Sequence, residues 1–304
     1  MTVVSVVIPC RNYGRYLRES LESVLAQSHR EIEVVVVDYG STDETPAVAA
    51  EYETVRYVSC ANEGLGSARN EGLRATHGPL VLFLDADDVL VADAVETFVD
   101  VLEARPDCAF AYGHQRFFDA DGPVPQRGSG PQGCLAEDDP YRWMLRASSP
   151  LRNASAVVYR RTSIEGLGGF ATDLDGCEDL DLNMRLARRH PICCNDRVVL
   201  MTRVHDANMT KQWGHMLTNA VAAQKRQRPY AEQHPRYRDD YRAGLAAARS
   251  YWGTRLADAA ADAARMGAAR TAFAGLAVLG RSDPGALPRA ALRVVKELSR
   301  RRAR

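Results

Sequence analysis

The chain has 304 residues, of which 46% are hydrophobic and 26% charged, with 14 prolines, a composition that excludes collagenous and disordered classes and suits one large α/β domain or two smaller ones. Its formal net charge is zero, which argues against nucleic acid as the main partner. Apolar runs stop short of the roughly 18 to 20 residues that a spanning helix needs, and strand pattern starts almost at the first residue, so a cytoplasmic protein without a secretion signal is expected.

Strand and helix signals alternate through the first hundred residues, the pattern of a mostly parallel sheet flanked by helices. "VVSVVIP" is a β-branched run stopped by Pro9. "YLRESLESVLAQ" then sets Leu17, Leu21, Val24 and Leu25 on one helical stripe. "EIEVVVVD" is the next strand, and "STDETPAVAAEYE" opens with Ser/Thr capping chemistry and continues as a helix. "VRYVSC" is a short third strand, "NEGLGSARNEGLRATHG" a loop and a helix ending near Gly78, and "LVLFLDADDVL" a strand that runs straight into Asp85, Asp87 and Asp88. The strands end in "CRNYG", "DYGSTD", "NEGLG" and "DADD". In a parallel sheet all four loops fall on one edge, where open α/β sheets bind ligands.

From residue 113 the pattern changes. "DADGPVPQRGSGPQG" reads as a Gly/Pro excursion before "RNASAVVYRR" returns as a strand. The segment 113–150, with Trp143, is expected on the acceptor side, since variable loops on a fixed scaffold set specificity. "CEDLDLNMRLARRH" reads as a helix from its acidic start, with Leu180, Met184 and Leu186 available to pack. An Ala- and Arg-rich helical region follows, giving expected domains of 1–213 and 214–304. Residues 281–304 carry eight Lys or Arg against two acids, so the remainder sums to −6. This tail sets Leu292, Val295 and Leu298 on one side of a helix with Arg289, Arg293, Lys296 and Arg300 around them. Such a segment suits peripheral contact with the inner face of an anionic membrane, the alternative being a solvated, frayed end. The seven cysteines show no C-x-x-C spacing and read as free thiols in a reducing compartment.

Carboxylates crowded at a strand end raise one another's pKa unless a cation shares the site. Mg²⁺ or Mn²⁺ is the economical answer, held by one or two carboxylates together with substrate phosphates. No G-x-G-x-x-G follows the first strand, which removes the dinucleotide-dependent oxidoreductase that the strand–helix alternation alone permits.

Six ordered motifs, "VVSVVIPCRNYGRYL", "EIEVVVVDYGSTDET", "ANEGLGSARNEGL", "LVLFLDADD", "GLGGF" and "CEDLDLNMRLA", make residues 3–210 resemble the family 2 glycosyltransferases. The resemblance implies a GT-A fold, a nucleotide-diphospho-sugar donor, a Mn²⁺ or Mg²⁺ ion and inverting transfer to an acceptor hydroxyl. It also implies that Pro9, Arg11, Asn12 and Tyr13 line the nucleobase, that Asp38 accepts a base hydrogen bond, and that Arg69 approaches the nucleotide. Asp85 would face the ribose, Asp87 and His205 would hold the metal, and Asp179 would be the catalytic base with Glu178 beside it. UDP-sugar is the first donor class expected, and a lipid-linked hydroxyl is one candidate acceptor. Tyr39 stands where the family has a second acid, so a degenerate sugar-nucleotide binder of the same fold remains as the alternative.

Overall fold

The computed structural model describes residues 1–124, 139–147, 151 and 153–302. Most of the Gly/Pro excursion expected on the acceptor side lies outside them. The chain divides into two compact units, Met1–Met144 with Ser149–His205, and Leu145–Ser148 with Asp206–Arg304.

In the first unit β1 (Val4–Cys10), α1 (Gly14–Leu25), β2 (Ile32–Asp38), α2 (Thr45–Ala49), β3 (Val55–Ser59), α3 (Leu65–Ala75) and β4 (Leu80–Phe83) alternate as expected. Then come β5 (Val89–Leu90), α4 (Ala94–Ala104), β6 (Phe110–Asp119), β7 (Gly122–Val124), α5 (Pro140–Ala147, its last three residues counted in the second unit), β8 (Val157–Arg160), α6 (Arg161–Glu165), α7 (Glu178–Ala187) and β9 (Cys193–Arg203). The sheet runs β3-β2-β1-β4-β8-β6-β9-β5, with β7 paired to β6. Strands β3, β2, β1 and β4 are mutually parallel, whereas β8 pairs antiparallel with both β4 and β6 and β5 pairs antiparallel with β9. The architecture is therefore an α/β mixed sheet whose parallel half puts the ends of β1, β2, β3 and β4 on one edge.

Burial explains the β-branched runs. Every residue of β1 is buried, Pro9 included, because α1 and α4 cover one face of the sheet with Leu17, Leu21, Val24 and Phe98, while α3 lies on the other. Each such apolar side chain contributes about 1.5–3 kcal/mol on burial. Leu25, expected on the buried stripe, is 41% exposed instead, one residue past Val24 and therefore turned away by about 100°. The start of α2 is held by Asp43, whose Oδ1 accepts from the Thr45 N–H at 3.1 Å and the Thr45 hydroxyl at 2.6 Å, so the Ser/Thr capping expected there is replaced by a carboxylate.

The seven-thiol expectation is overturned. Cys108 and Cys193 form a disulfide, Cys194 is also disulfide-bonded, and Cys10, Cys60 and Cys177 are free. The spacing gave no sign because the bridge spans 85 residues. The backbone brings the two ends together, since the Ala109 N–H donates to the Pro191 carbonyl at 2.9 Å and the Cys108 and Cys193 Cα atoms sit 6.0 Å apart. The compartment argument that rested on free thiols falls with them. No helix among the described residues is long and apolar enough to cross a membrane.

The second unit packs α8 (Trp213–Arg226), α9 (Arg228–Gln233), α10 (Arg238–Met266), α11 (Ala269–Ser282) and α12 (Leu287–Arg302). Its core joins Leu217 and Val221 to the small side chains Ala257, Ala260 and Ala264 of α10, and to Leu276, Leu279, Ala290 and Val294. Ala290 and Val294 are the inward residues of α12, whereas Leu292 and Val295 are exposed and Leu298 is partly buried. The stripe read from the sequence took steps of three, and each such step falls about 60° short of a full turn of the helix. Leu292 and Leu298 consequently lie on different faces.

Candidate active site

At the parallel edge the first two loops are stitched together. Asn12, in the left-handed region at φ 59°, accepts through Oδ1 from the Thr42 N–H at 2.8 Å, and its own N–H donates to Ser41 Oγ at 3.0 Å. The Gly14 N–H donates to Asp43 Oδ2 at 2.9 Å. Asp38 is buried at the end of β2, where Oδ1 accepts from the Gly40 and Ser41 N–H groups at 3.1 and 2.7 Å and Oδ2 from the Tyr57 hydroxyl at 2.7 Å. Arg11 is exposed, and with the Asn62 amide turned to present its oxygen the guanidinium donates to it at 3.1 and 3.2 Å. Burial pushes the Tyr39 phenol upward in pKa against the pull of Arg69.

A second cluster is centred on Arg69 of α3. Its Nη2 donates to Asp85 Oδ1 at 2.8 Å and its Nη1 to Glu178 Oε1, with the Arg69 and Glu178 side chains only 3% and 2% exposed. One guanidinium thus joins the end of β4 to the start of α7. Two features of α3 allow this. A Cβ on Gly66 would lie 2.5 Å from the Ala171 carbonyl, so only glycine lets α3 approach that loop. Asn70 grips the same loop in both directions, donating to the Phe170 carbonyl at 2.9 Å and accepting from its N–H at 2.8 Å. Gly169, at φ 82°, supplies the left-handed turn that aims that N–H at Asn70.

The carboxylates here carry charge reluctantly. Burial raises Glu178 to about 7 although Arg69 opposes it, and burial also raises Asp179, again against Arg69. Glu178 Oε2 and Arg69 Nε have no hydrogen-bond partner among the described residues. Asp179 is only partly buried, and its Oδ1 accepts from the Leu180 N–H at 2.8 Å. A carboxylate with raised proton affinity and some access to solvent is suited to accepting a proton.

The third cluster joins Asp87 to His205, whose Nε2 lies 2.8 Å from Asp87 Oδ2. Strand pairing produces it: β5 follows the "DADD" loop directly and pairs with β9 at Val89↔Met201 and Leu90↔Leu200, so the end of β9 returns to the carboxylates. Asp88 holds this return in place. Its Oδ1 accepts from the Arg203 N–H at 3.1 Å and its Oδ2 from Asn153 Nδ2 at 2.6 Å, while Arg203 Nε donates to the Asp87 carbonyl at 3.1 Å. The His205 ring stacks on Tyr16 at 4.7 Å and lies 5.5 Å from Tyr13. Burial raises Asp87, with Asp85 adding to the rise and His205 opposing it.

A carboxylate and an imidazole in contact, beside a second carboxylate, form a donor set that suits a divalent cation with hard-oxygen preference. No group of three or more His, Cys, Asp or Glu among the described residues has metal-holding geometry. The residues present fit an ion that takes its remaining ligands from elsewhere.

Residues 5–153 match the family described as Glycosyl transferase family 2. This segment of the chain belongs to that family. Among similar curated proteins are an uncharacterized glycosyltransferase of Rickettsia conorii, 29% identical over 69% of this chain and 35% of its own length, and one of Nostoc sp., 36% identical over 53% and 52%. The Escherichia coli chondroitin synthase is 27% identical over 68% of this chain and 29% of its own length. The chain thus spans between about a third and a half of these relatives. Among solved structures, S. aureus TarS in complex with UDP-GlcNAc superposes with TM-score 0.63 at 15% identity over 97% of this chain and 89% of that one. The mannosyltransferase PcManGT from Pyrobaculum calidifontis, in complex with GDP-Man and Mn²⁺, gives 0.63 at 22% identity over 98% and 87%. The shared fold is the GT-A type.

Within this chain the structure gathers Arg69, Asp85, Glu178 and Asp179 in one cluster and Asp87, His205 and Tyr13 in another, linked through the β4–β5 loop. Pro9 is enclosed within β1, and Arg11 and Asn12 lie at the exposed end of the strand. Sequence reading gave no role to Asp88, Asn153, Asn70, Arg203 or Tyr16. Arg203 was accessible to it, because alternation along an extended segment sets residues 203 and 205 on one side. Asn153 was not, since its partner is 65 positions away.

Proposed function

We propose that this chain is an inverting, metal-dependent glycosyltransferase that moves a sugar from a nucleotide-diphospho-sugar to an acceptor hydroxyl. The observation that supports it most is the convergence, on one sheet edge, of the Asp87–His205 pair and a partly exposed, proton-avid Asp179 through Asp85, Arg69 and Glu178. UDP-sugars are the first donors to test, followed by dTDP- and GDP-sugars. The UDP-GlcNAc of the TarS complex and the GDP-Man and Mn²⁺ of the mannosyltransferase complex are in keeping with that range. A hydroxyl of a cell-surface glycan, glycolipid or small metabolite is the proposed acceptor, a lipid-linked one included, and the cytoplasmic side is the proposed place of action.

In this reading the loops after β1 and β2 receive the base, through Arg11, Asn12, Tyr13 and Asp38, and Asp85 receives the ribose. Asp87 and His205 hold Mn²⁺ or Mg²⁺, which neutralises charge on the two phosphates. Asp179 removes the proton of the acceptor hydroxyl as its oxygen bonds to the anomeric carbon, while the bond from that carbon to the diphosphate breaks and the nucleoside diphosphate leaves with the electron pair. A single displacement inverts the anomeric centre. Arg69 fixes Glu178, next to the base, and ties it to the donor side of the site.

Thermal-shift titration with UDP, dTDP and GDP, each with Mn²⁺ and with chelator, tests the donor half. Stabilisation by one nucleoside diphosphate only when metal is present is the expected result. Binding without turnover of any sugar nucleotide, hydrolysis included, would favour the degenerate binder and make Tyr39→Asp the next variant.

A further inference from the structure

The outward side of α12 has no part in the proposed reaction. Ala290 and Val294 face the helical core, and the helix is pinned along α10 by Arg293 to Asp258 at 2.7 Å and by Glu297 to Arg265 at 3.7 Å. It is therefore a preformed surface. Leu292 and Val295 are 72% and 54% exposed on it, beside exposed Pro288. Next to this apolar strip run Arg289, Arg293, Lys296 and Arg300, all exposed, at the three- and four-residue steps that make one helical row. Arg293 and Arg300 have acidic neighbours, while Arg289 and Lys296 have none among the described residues. Of the eight exposed large apolar side chains among the described residues, Met266, Phe273, Leu292 and Val295 all fall within residues 266–295. Two of them, Leu292 and Val295, lie where the chain is most positive, residues 281–304 holding eight Lys or Arg against two acids.

We infer that this face docks on an anionic lipid surface, with the basic row over the headgroups and Leu292 and Val295 entering the interface. Charge complementarity selects the partner, since the basic row attracts an anionic surface while residues 1–280, at −6, do not. A nucleic acid would meet the same row but leave Leu292 and Val295 in water, whereas a lipid interface removes them from it. The inference is independent of the sugar-transfer reading.

The test is co-sedimentation of the full chain with phosphatidylcholine vesicles and with vesicles containing about one-third phosphatidylglycerol, at low and high salt. Binding to the anionic vesicles only, weakened by salt, is expected. Two double variants then separate the contributions: Leu292→Ser with Val295→Ser, and Arg289→Gln with Lys296→Gln. Each should lower partitioning about fivefold or more, with melting and nucleotide-induced stabilisation unchanged, since all four side chains are exposed and far in sequence from the site residues. Equal sedimentation with both vesicle types, or full retention by either variant, overturns the inference. So does release of the protein from vesicles by duplex DNA at equal phosphate concentration, which would mark the row as a general polyanion site.

Discussion

Asp87 and Asp179 sit at one sheet edge with opposite requirements, and substitutions separate them. Asp87→Ala and His205→Ala should each abolish metal-dependent stabilisation by the nucleoside diphosphate, whereas Asp179→Asn should leave that stabilisation within about twofold and lower transfer at least about a hundredfold. Equal loss of binding in Asp87→Ala and Asp179→Asn would contradict the division. A base must be ionised to work, and burial holds Asp179 above the ordinary carboxylate range. Transfer should accordingly fall as pH drops through a value above that of a free aspartic acid, and an acid limb at or below the free value would exclude Asp179 as the base. Glu178 makes a separate, thermodynamic prediction. Its folded pKa is raised to about 7 from 4.5, so the folded state holds the extra proton and stability declines as pH rises from 4.5 to 7. Glu178→Gln should remove that slope, at most about 1.4 kcal/mol per pH unit, as read from urea melts across the window.

Elements place these side chains by close approach. The helix α3 carries both Arg69 and Asn70, and its distance from the loop before α7 is set by the missing Cβ of Gly66. Gly66→Ala puts a methyl against backbone, which cannot move aside as a side chain would. A stability loss of about 1–3 kcal/mol is expected, together with weaker nucleotide binding because Arg69 is carried away from Asp85. Wild-type binding in a destabilised Gly66→Ala protein would show that the approach matters for packing alone. The hairpin-like return of β9 onto β5 acts in the same way for His205, with Asp88 as its buried anchor. Burial and the neighbouring carboxylates raise Asp88 well above the ordinary range, so its two hydrogen bonds hold a carboxyl group that takes up charge only with difficulty.

At the scale of the molecule, the Cys108–Cys193 bridge closes an 85-residue span across β6, β8 and α7. Closing so long a loop restricts the unfolded chain, and Cys108→Ser should lower stability by about 2–4 kcal/mol. Reduction of the wild-type protein should lower its melting temperature in the same direction. An unchanged melting temperature in both would mean that the span is held by strand pairing alone. The helical unit is built differently, from alanines that let α10 meet three other helices closely, and it leaves Met266, Phe273, Leu292 and Val295 on the outside.

The local sequence by itself determined the alternation of strands and helices, the sheet edge to which the loops lead and the family, because hydrophobic period and short polar motifs are read within a few residues. It read Asp87 in the loop after a strand and Asp179 at the start of a helix for the same reason, whereas Arg69, expected to reach in from a loop, lies within α3. Tertiary structure decided what lies far apart in the chain: the Arg69 bridge across 109 residues to Glu178, the Asp88 anchor across 115 to Arg203, and the disulfide that spacing hid. It also decided which face of an amphipathic helix is inside. In α12 the sequence grouped Leu292, Val295 and Leu298 on one side, and only the packing of Ala290 and Val294 against the core shows that Leu292 and Val295 face water while Leu298 is partly buried.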